Sequence, residues 1–310
     1  MGCLSPRIWF AMTAPSPDPV SRPVVLLTGA SSGLGLAVAR QLADRGFRLV
    51  LTARADSLSR FDREGVHEDE FTHLRPLDVC DPQQRRALVD EITTRWGGVD
   101  ILINNAGVAY RTVVEHWDDD AWTDIMETNV RGPCELIRLV LPGMRARRQG
   151  RILNVSSVGG MMAMPTMSLY SAAKFALEGA TEALWYEVRP WGIHVTLIEP
   201  GFIRSDSFRN TRFTARSFRG AMAEDDPYHH QYLHLAAFIE RMMDRSRATP
   251  ESVARCLVAT MYHARPPLRQ YATPDAHLFA WLRRLLPRNW YHAVLYRFLP
   301  HVRAGAVPGS

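Results

Sequence analysis

The chain has little that would hold or anchor it apart from its own core. Its four cysteines, Cys3, Cys80, Cys134 and Cys256, are scattered over 310 residues. No two have CxxC spacing and no histidine cluster accompanies them, which argues against a disulfide framework or a metal site. The thiols read as reduced and the compartment as cytoplasmic. No apolar run approaches the ~20 residues that a spanning helix needs. The opening MGCLSPRIWFAMTAPSPDPVSRP has an apolar stretch too short for a secretory signal and no small-residue cleavage pattern. It also lacks Ser or Thr where a myristoylation signal requires one. There is no internal repeat. Charge of one sign is in small excess, 37 Lys and Arg against 32 Asp and Glu, a net of +5. That bias suits a phosphorylated cofactor or an anionic surface and does not by itself argue for nucleic acid.

Enough apolar sequence is present for a packed core, at 46% hydrophobic and 22% charged residues. Residues 1–22, with Pro15, Pro17 and Pro19, read as an extended tail. Met12 is an alternative start. From Val24 the pattern is regular. Short apolar strands are expected at Val24–Thr28, Arg48–Thr52, Thr72–Leu77, Ile101–Ile103, Arg151–Val155 and His194–Ile198. Helices are expected at Leu34–Arg45, Pro82–Trp96, Asp118–Arg148 (interrupted near Gly132-Pro133) and Ser168–Arg189. Six alternations with short connections predict an α/β fold: a doubly wound parallel sheet, three layers α/β/α. Residues 23–273 form one domain in this reading. Residues 202–250 lose the regularity and read as a substrate lid or a passive insertion. A helix at Glu251–His263 and a last strand at Arg269–Thr273 follow. Residues 274–310 form a helical appendage.

Thr28–Gly35 reads TGASSGLG between a strand and a helix. Gly29, Gly33 and Gly35 let the backbone turn tightly against a pyrophosphate, and the following helix offers its free N–H groups to that anion. Asn104–Gly107 (NNAG) follows the fourth strand, Asn129 lies in the long helical region, and Ser157 precedes Tyr170 by thirteen residues. Tyr170 and Lys174 are an i, i+4 pair on one helix face, and Pro200-Gly201 follows the sixth strand. In this order and spacing, Pro23 to Arg265 resembles the short-chain dehydrogenase/reductase family, in its non-extended branch.

The resemblance implies a Rossmann fold and a nicotinamide cofactor. It places that cofactor on Thr28, Gly29, Ser31, Ser32, Gly33, Leu34 and Gly35, on Asp78 and Val79 at the adenine, and on Asn105, Ala106 and Gly107. Pro200, Gly201, Ile203 and Ser205 complete the set, with Ser205 where the family usually has Thr. The catalytic group it implies is Asn129, Ser157, Tyr170 and Lys174. Ser157 would orient the substrate oxygen, Lys174 would also hold the nicotinamide ribose, and Asn129 would hold a water linking Lys174 to solvent. A nearby ammonium should lower the tyrosine pKa from about 10. After strand two the chain has Ala53-Arg54 in place of an acid. Arg54 can pair with a 2′-phosphate, so NADP(H) is expected over NAD(H).

SLYSAAKFALEGATEALWYEVRPWGI looks like the branch holding steroid 17-beta and retinol dehydrogenases, which implies a bulky apolar alcohol or carbonyl. Met161, Met162, Met164 and Met167 fit either a substrate wall or ordinary core. Met164 is the candidate wall residue beside Ser157 and Tyr170. From Arg265 to Ser310 there are seven arginines, one acid and many aromatics. That amphipathic end fits a membrane surface, a pocket cap or an oligomer interface about equally well. A homodimer or homotetramer is expected from the resemblance. Alternatives are a 3-oxoacyl thioester or polyketide ketoreductase and a non-catalytic NADP-binding redox sensor, although such a sensor commonly loses Tyr or Lys. An extended-branch sugar-nucleotide enzyme is disfavoured by the turn spacing and chain length.

Overall fold

The computed structural model describes residues 22–205 and 208–299. Most of the expected N-terminal tail and residues 300–310 of the appendage lie outside them. Seven strands form one parallel sheet: β1 (Val24–Leu27), β2 (Arg48–Ala53), β3 (Thr72–Pro76), β4 (Ile101–Asn104), β5 (Gly150–Val155), β6 (Ile193–Glu199) and β7 (Arg269–Tyr271), in the order β3-β2-β1-β4-β5-β6-β7. The order reverses between β1 and β4, so the helices that follow those two strands cover opposite faces of the sheet and leave a crevice at its carboxyl edge.

Side chains alternate across the sheet as strand geometry requires. Val25 and Leu27 face one core, with Val38 and Leu42 of α1 (Gly33–Leu42), Phe61 of α2 (Ser59–Arg63) and Leu257 of α9 (Pro250–Tyr262). Val24 and Leu26 face the other, with Ile92 of α3 (Pro82–Trp96), Leu136 and Val140 of α5 (Gly132–Arg147) and Leu184 of α6 (Ser168–Val188). The three layers expected from alternation are therefore present. Local signals bound α3: Asp81 caps it by accepting from the amides of Gln83 and Gln84 at 2.7 and 3.1 Å, and Gly97 ends it at φ +80°.

The helical region is interrupted next to Gly132-Pro133, as expected, and only the reading of 202–250 changes. The long helical region breaks into α4 (Asp119–Met126), a wide π turn at Glu127–Arg131 and then α5. Pro133 in the first turn of α5 has no N–H to continue the preceding ladder. Residues 202–250 are not irregular. They contain α7 (Ala215–Met222) and α8 (His229–Arg245), the latter burying Tyr232, Leu235, Ile239 and Met243 at helical spacing. Their His, Arg and Met content masked that stripe. The appendage is a pair of helices, α10 (Pro274–Leu285) and α11 (Arg288–Phe298).

The edge strand β7 is tied in by charge. Arg269 Nη1 donates to Glu178 of α6 at 2.6 Å and to the carboxylate of Glu199, while Nη2 reaches Glu182 at 3.3 Å. Glu178 and Glu199 are buried. Burial and the neighbouring Glu178 push the Glu199 carboxyl well above the usual carboxylate range. Arg269→Met keeps the stem and removes the cation. Chemical denaturation at neutral pH should show a loss of about 3–5 kcal/mol, the cost of stranding buried carboxylates. The loss should shrink as pH falls through the raised range of the Glu199 carboxyl, which then carries its proton. A substitution that is neutral across that range would show that the cluster does not hold the edge strand.

Candidate active site

The glycine turn and the loop after β4 are stapled together at the mouth of the crevice. Thr28 Oγ1 accepts from the amides of Asn105 and Ala106, 3.0 Å each, and Asn105 Nδ2 donates to the carbonyls of Thr28 and Gly29, again 3.0 Å each. Gly29 has φ +65°, and a Cβ there would lie 2.9 Å from Ala106 Cα. A Cβ on Gly35 would lie 2.1 Å from the Gly29 carbonyl oxygen. These two glycines are therefore required by a left-handed turn and by a close approach. Ser32 precedes α1 without capping it through its side chain, so the first-turn amides of Gly33, Leu34 and Gly35 remain available to an anion. Ser31 is buried in the same turn.

Along the crevice, Arg54 is exposed at the end of β2, with Nε 3.9 Å from Asp56 Oδ1. A surface pair of that length is weak and leaves the guanidinium able to meet a phosphate. Asp78 accepts from the amide of Cys80 at 2.9 Å, and the Val79 carbonyl accepts from Arg85. At the far end the Gly201 amide donates to Thr273 Oγ1 at 2.9 Å and the Phe202 amide to Asp275 Oδ2 at 2.8 Å. The Pro200-Gly201 loop is thus clasped by the N-terminus of α10. The Pro200 carbonyl also accepts from the Val158 amide at 2.9 Å. Ile203 follows in the same loop, and Ser205 lines a cleft of about 410 Å³ with Arg204, Arg209, Glu240 and Asp244.

Four further residues lie where β5, α6 and the π turn meet. Ser157 Oγ accepts from the Gly159 amide at 3.1 Å and lies close enough to the Tyr170 hydroxyl to lower its pKa. Lys174 Nζ donates to the Val155 carbonyl at 2.8 Å and lies 5.7 Å from the Tyr170 ring centre. Asn129 is buried in the π turn. Its Oδ1 accepts from the Val108 amide and its Nδ2 donates to the Val108 carbonyl, both at 2.8 Å. The side chain therefore braces the NNAG loop, and a Cβ on Gly107 would come within 3.2 Å of its Oδ1.

The electrostatics differ from the sequence expectation. Burial raises the Tyr170 hydroxyl above its ordinary value; the Ser157 hydrogen bond pulls it back, and the charge of Glu178 pushes it up. Burial also depresses Lys174, from 10.5 to about 8, with Glu178 opposing that fall. Tyr170 is consequently a protonated acid at neutral pH. Glu178 was missed from the sequence although a signal was there: Tyr170, Lys174 and Glu178 follow one another at i, i+4 and i+8 on one helix face. It accepts from Ser156 Oγ at 2.6 Å, directly beside Ser157. A second missed signal is composition. Of the 37 basic residues, Lys174 is the only lysine, and a lysine can lose its proton where arginine cannot.

Met164 joins two apolar clusters. One contains Met161, Met162, Tyr291 and Leu282. The other contains Met167, Phe202, Phe208, Phe238, Met243 and Phe279. The methionine segment is thus partly core and partly wall, covered by α8, α10 and α11. A larger apolar cleft of about 870 Å³ runs between α11 and the Ser168, Ala172 and Phe175 side of α6. That side is turned well away from Tyr170, at about 100° per residue around the helix. Met164 and Pro165 lie at its rim.

Residues 23–215 match the family model described as short chain dehydrogenase. A 3-ketodihydrosphingosine reductase from Bacteroides thetaiotaomicron is 32% identical over 277 residues, covering 89% of this chain and 97% of that protein. A short-chain dehydrogenase/reductase from Burkholderia phymatum, solved with NAD, superposes with a TM-score of 0.71 at 25% identity, covering 85% of this chain and 93% of its own. A single-residue variant of actinorhodin polyketide ketoreductase, solved with NADPH, gives 0.67 at 28% identity, covering 83% and 98%. With the parallel sheet, the stapled glycine turn and the Ser157–Tyr170–Lys174 corner, these matches show that the chain belongs to the short-chain dehydrogenase/reductase family, whose members are nicotinamide-dependent oxidoreductases of alcohols and carbonyls.

Proposed function

We propose that the chain reduces a ketone or aldehyde on a bulky, apolar, lipid-like substrate, using NADPH. The observation that carries the reading is an apolar cluster that includes Met164 and Met167, on the segment between Ser157 and Tyr170. Met164, Met167, Phe202, Phe238 and Phe279 come from separate segments of the chain, and flexible thioethers among aromatic rings suit a large apolar shape. The similarity to a protein named 3-ketodihydrosphingosine reductase agrees with a carbonyl carried on a long chain.

The crevice fits the cofactor: a Cβ would fill the cradle at Gly35 and Gly29, and α1 presents free amides to a pyrophosphate. In this reading Thr28 to Gly35 hold the pyrophosphate, Asp78 and Val79 the adenine, Arg54 a 2′-phosphate, and Asn105 to Gly107 with Pro200 to Ser205 the nicotinamide end. The cofactor, when bound, supplies the hydride to the carbonyl carbon. Tyr170 gives its hydroxyl proton to the carbonyl oxygen as the new C–H bond forms. Ser157 holds that oxygen through its hydroxyl. Lys174 stabilises the resulting phenolate by its charge and holds ribose, and Asn129 keeps Gly107 and Val108 in place. A tyrosine pushed towards its protonated form suits reduction better than oxidation.

The direct test is NADPH oxidation over a graded set of 3-ketones and aldehydes of increasing chain length, with steroids, retinal and 3-oxoacyl thioesters alongside. Turnover that rises with apolar bulk supports the proposal. Turnover confined to thioesters points to the acyl-carrier reading, and silence on every carbonyl opposes it.

Tyr170→Phe should lower kcat by roughly 10²–10⁴-fold, the usual contribution of a general acid. NADPH affinity, measured by fluorescence titration, should stay close to that of the wild type. Arg54→Asp should weaken NADPH by about tenfold or more, the scale of one lost charge-assisted contact, and leave NADH nearly unchanged. Equal effects on both cofactors would remove the 2′-phosphate role. Because the chain has one lysine, selective isotope labelling gives one side-chain signal by NMR. It should titrate near pH 8 in the folded protein and near 10.5 when unfolded. Between those values the unfolded chain binds the extra proton, so this group makes stability rise with pH across that window. A folded-state midpoint near 10.5 would contradict the burial of the amine.

A further inference from the structure

The outer side of α10 carries His277, Leu278, Trp281, Arg284 and Leu285, all exposed and all on one helical stripe. Its inner side is already satisfied, since Phe279, Leu282 and Leu286 pack with Met161, Met162 and Tyr291. The outer apolar residues therefore add nothing to the core. Leu278, Trp281 and Leu285 are 52%, 59% and 56% exposed, and on α11 Trp290 and Phe298 reach 68% and 78%. Charge is skewed in the same place. From Ala276 to Ser310 there are five arginines and no Asp or Glu, while the residues before Ala276 contain 32 of each sign. The whole formal excess of the chain thus sits at this end, and Arg284 and Arg297 are exposed on the two helices.

We infer that the α10–α11 pair docks the enzyme on an anionic lipid surface. Leu278, Trp281 and Leu285 would enter the boundary between headgroups and acyl chains, and the arginines would meet lipid phosphates. An amphipathic helix with Trp and Leu on one side and arginine beside them has the composition of an interfacial helix. Clustered arginines are attracted to an anionic leaflet. A second copy of the chain is the poorer occupant. A two-fold interface would bring this patch against itself, with arginine facing arginine and no acid within the patch to pair them. Among the described residues no helix is long and apolar enough to cross a membrane, so contact through these helices is peripheral.

The test is flotation of the full chain with vesicles of phosphatidylcholine plus phosphatidylglycerol, compared with phosphatidylcholine alone. The wild type is expected to float with the anionic vesicles and at least about tenfold less with the neutral ones, and to be released as salt shortens the Debye length from ~10 Å towards ~3 Å. Leu278→Ser/Trp281→Ser/Leu285→Ser should reduce flotation by about tenfold or more, with an unchanged thermal melt. Arg284→Gln/Arg297→Gln, an independent variant, should remove most of the preference for the anionic vesicle. Failure of the wild type to float overturns the inference, as does flotation that neither variant alters. A concentration-dependent dimer that the serine variant disperses, without flotation of the wild type, would assign the face to a second copy. None of these readouts depends on which carbonyl the enzyme reduces.

Discussion

A guanidinium held between two buried carboxyl groups underlies the Ser157–Tyr170–Lys174 corner. Arg269 joins Glu178 on α6 to Glu199 at the end of β6, and Glu178 reaches back to Ser156 beside Ser157. Three segments are thereby bound together: the loop after β5, the helix with Tyr170 and Lys174, and the strand leading into Pro200-Gly201. Such a cluster is costly to desolvate and costlier still to break. Gly160 shows how tightly it is enclosed, because a Cβ there would lie 2.0 Å from Glu178 Oε1. The negative charge of Glu178 also opposes the burial penalty on Lys174 and keeps the amine from falling further.

Much of the fold was legible before any coordinates. Parallel strands buried on both faces are continuous apolar runs, and Asp81-Pro82 and Gly97 mark the ends of α3 by caps that act locally. The glycine turn was legible because only glycine tolerates the approach of Gly29 to Ala106 and of Gly35 to Gly29. What escaped was set by distant partners. The α8 stripe of Tyr232, Leu235, Ile239 and Met243 lay among polar residues that lower the apparent periodicity. The clasp of Thr273 and Asp275 on Gly201 and Phe202 joins residues 72 and 73 positions apart. The sign of the Tyr170 shift could not be read from spacing, since i, i+4 places a lysine nearby but says nothing of how much water remains around either group. The Asn129 side chain likewise was recognisable by position, but not its use as a brace for Val108.

The C-terminal helices connect these observations. The inner side of α10 closes over the methionine segment, and its first turn holds the loop that follows β6. One short helix thus touches the wall of the proposed substrate space and the Pro200-Gly201 loop proposed to meet the nicotinamide. Movement of that helix would be felt at both places, without any change in the sheet.

The solitary lysine has a consequence for the chain as a chemical object. Every cationic side chain on its surface other than histidine is an arginine, which resists acylation at neutral pH because it stays protonated. Acetylation, ubiquitin transfer and amine-directed crosslinking consequently find one ε-amine in the whole chain, Lys174, and it is buried against the Val155 carbonyl. Apart from the terminal amine, an electrophile selective for amines has a single address on this enzyme. That address lies beside Tyr170, in the site proposed to move the proton.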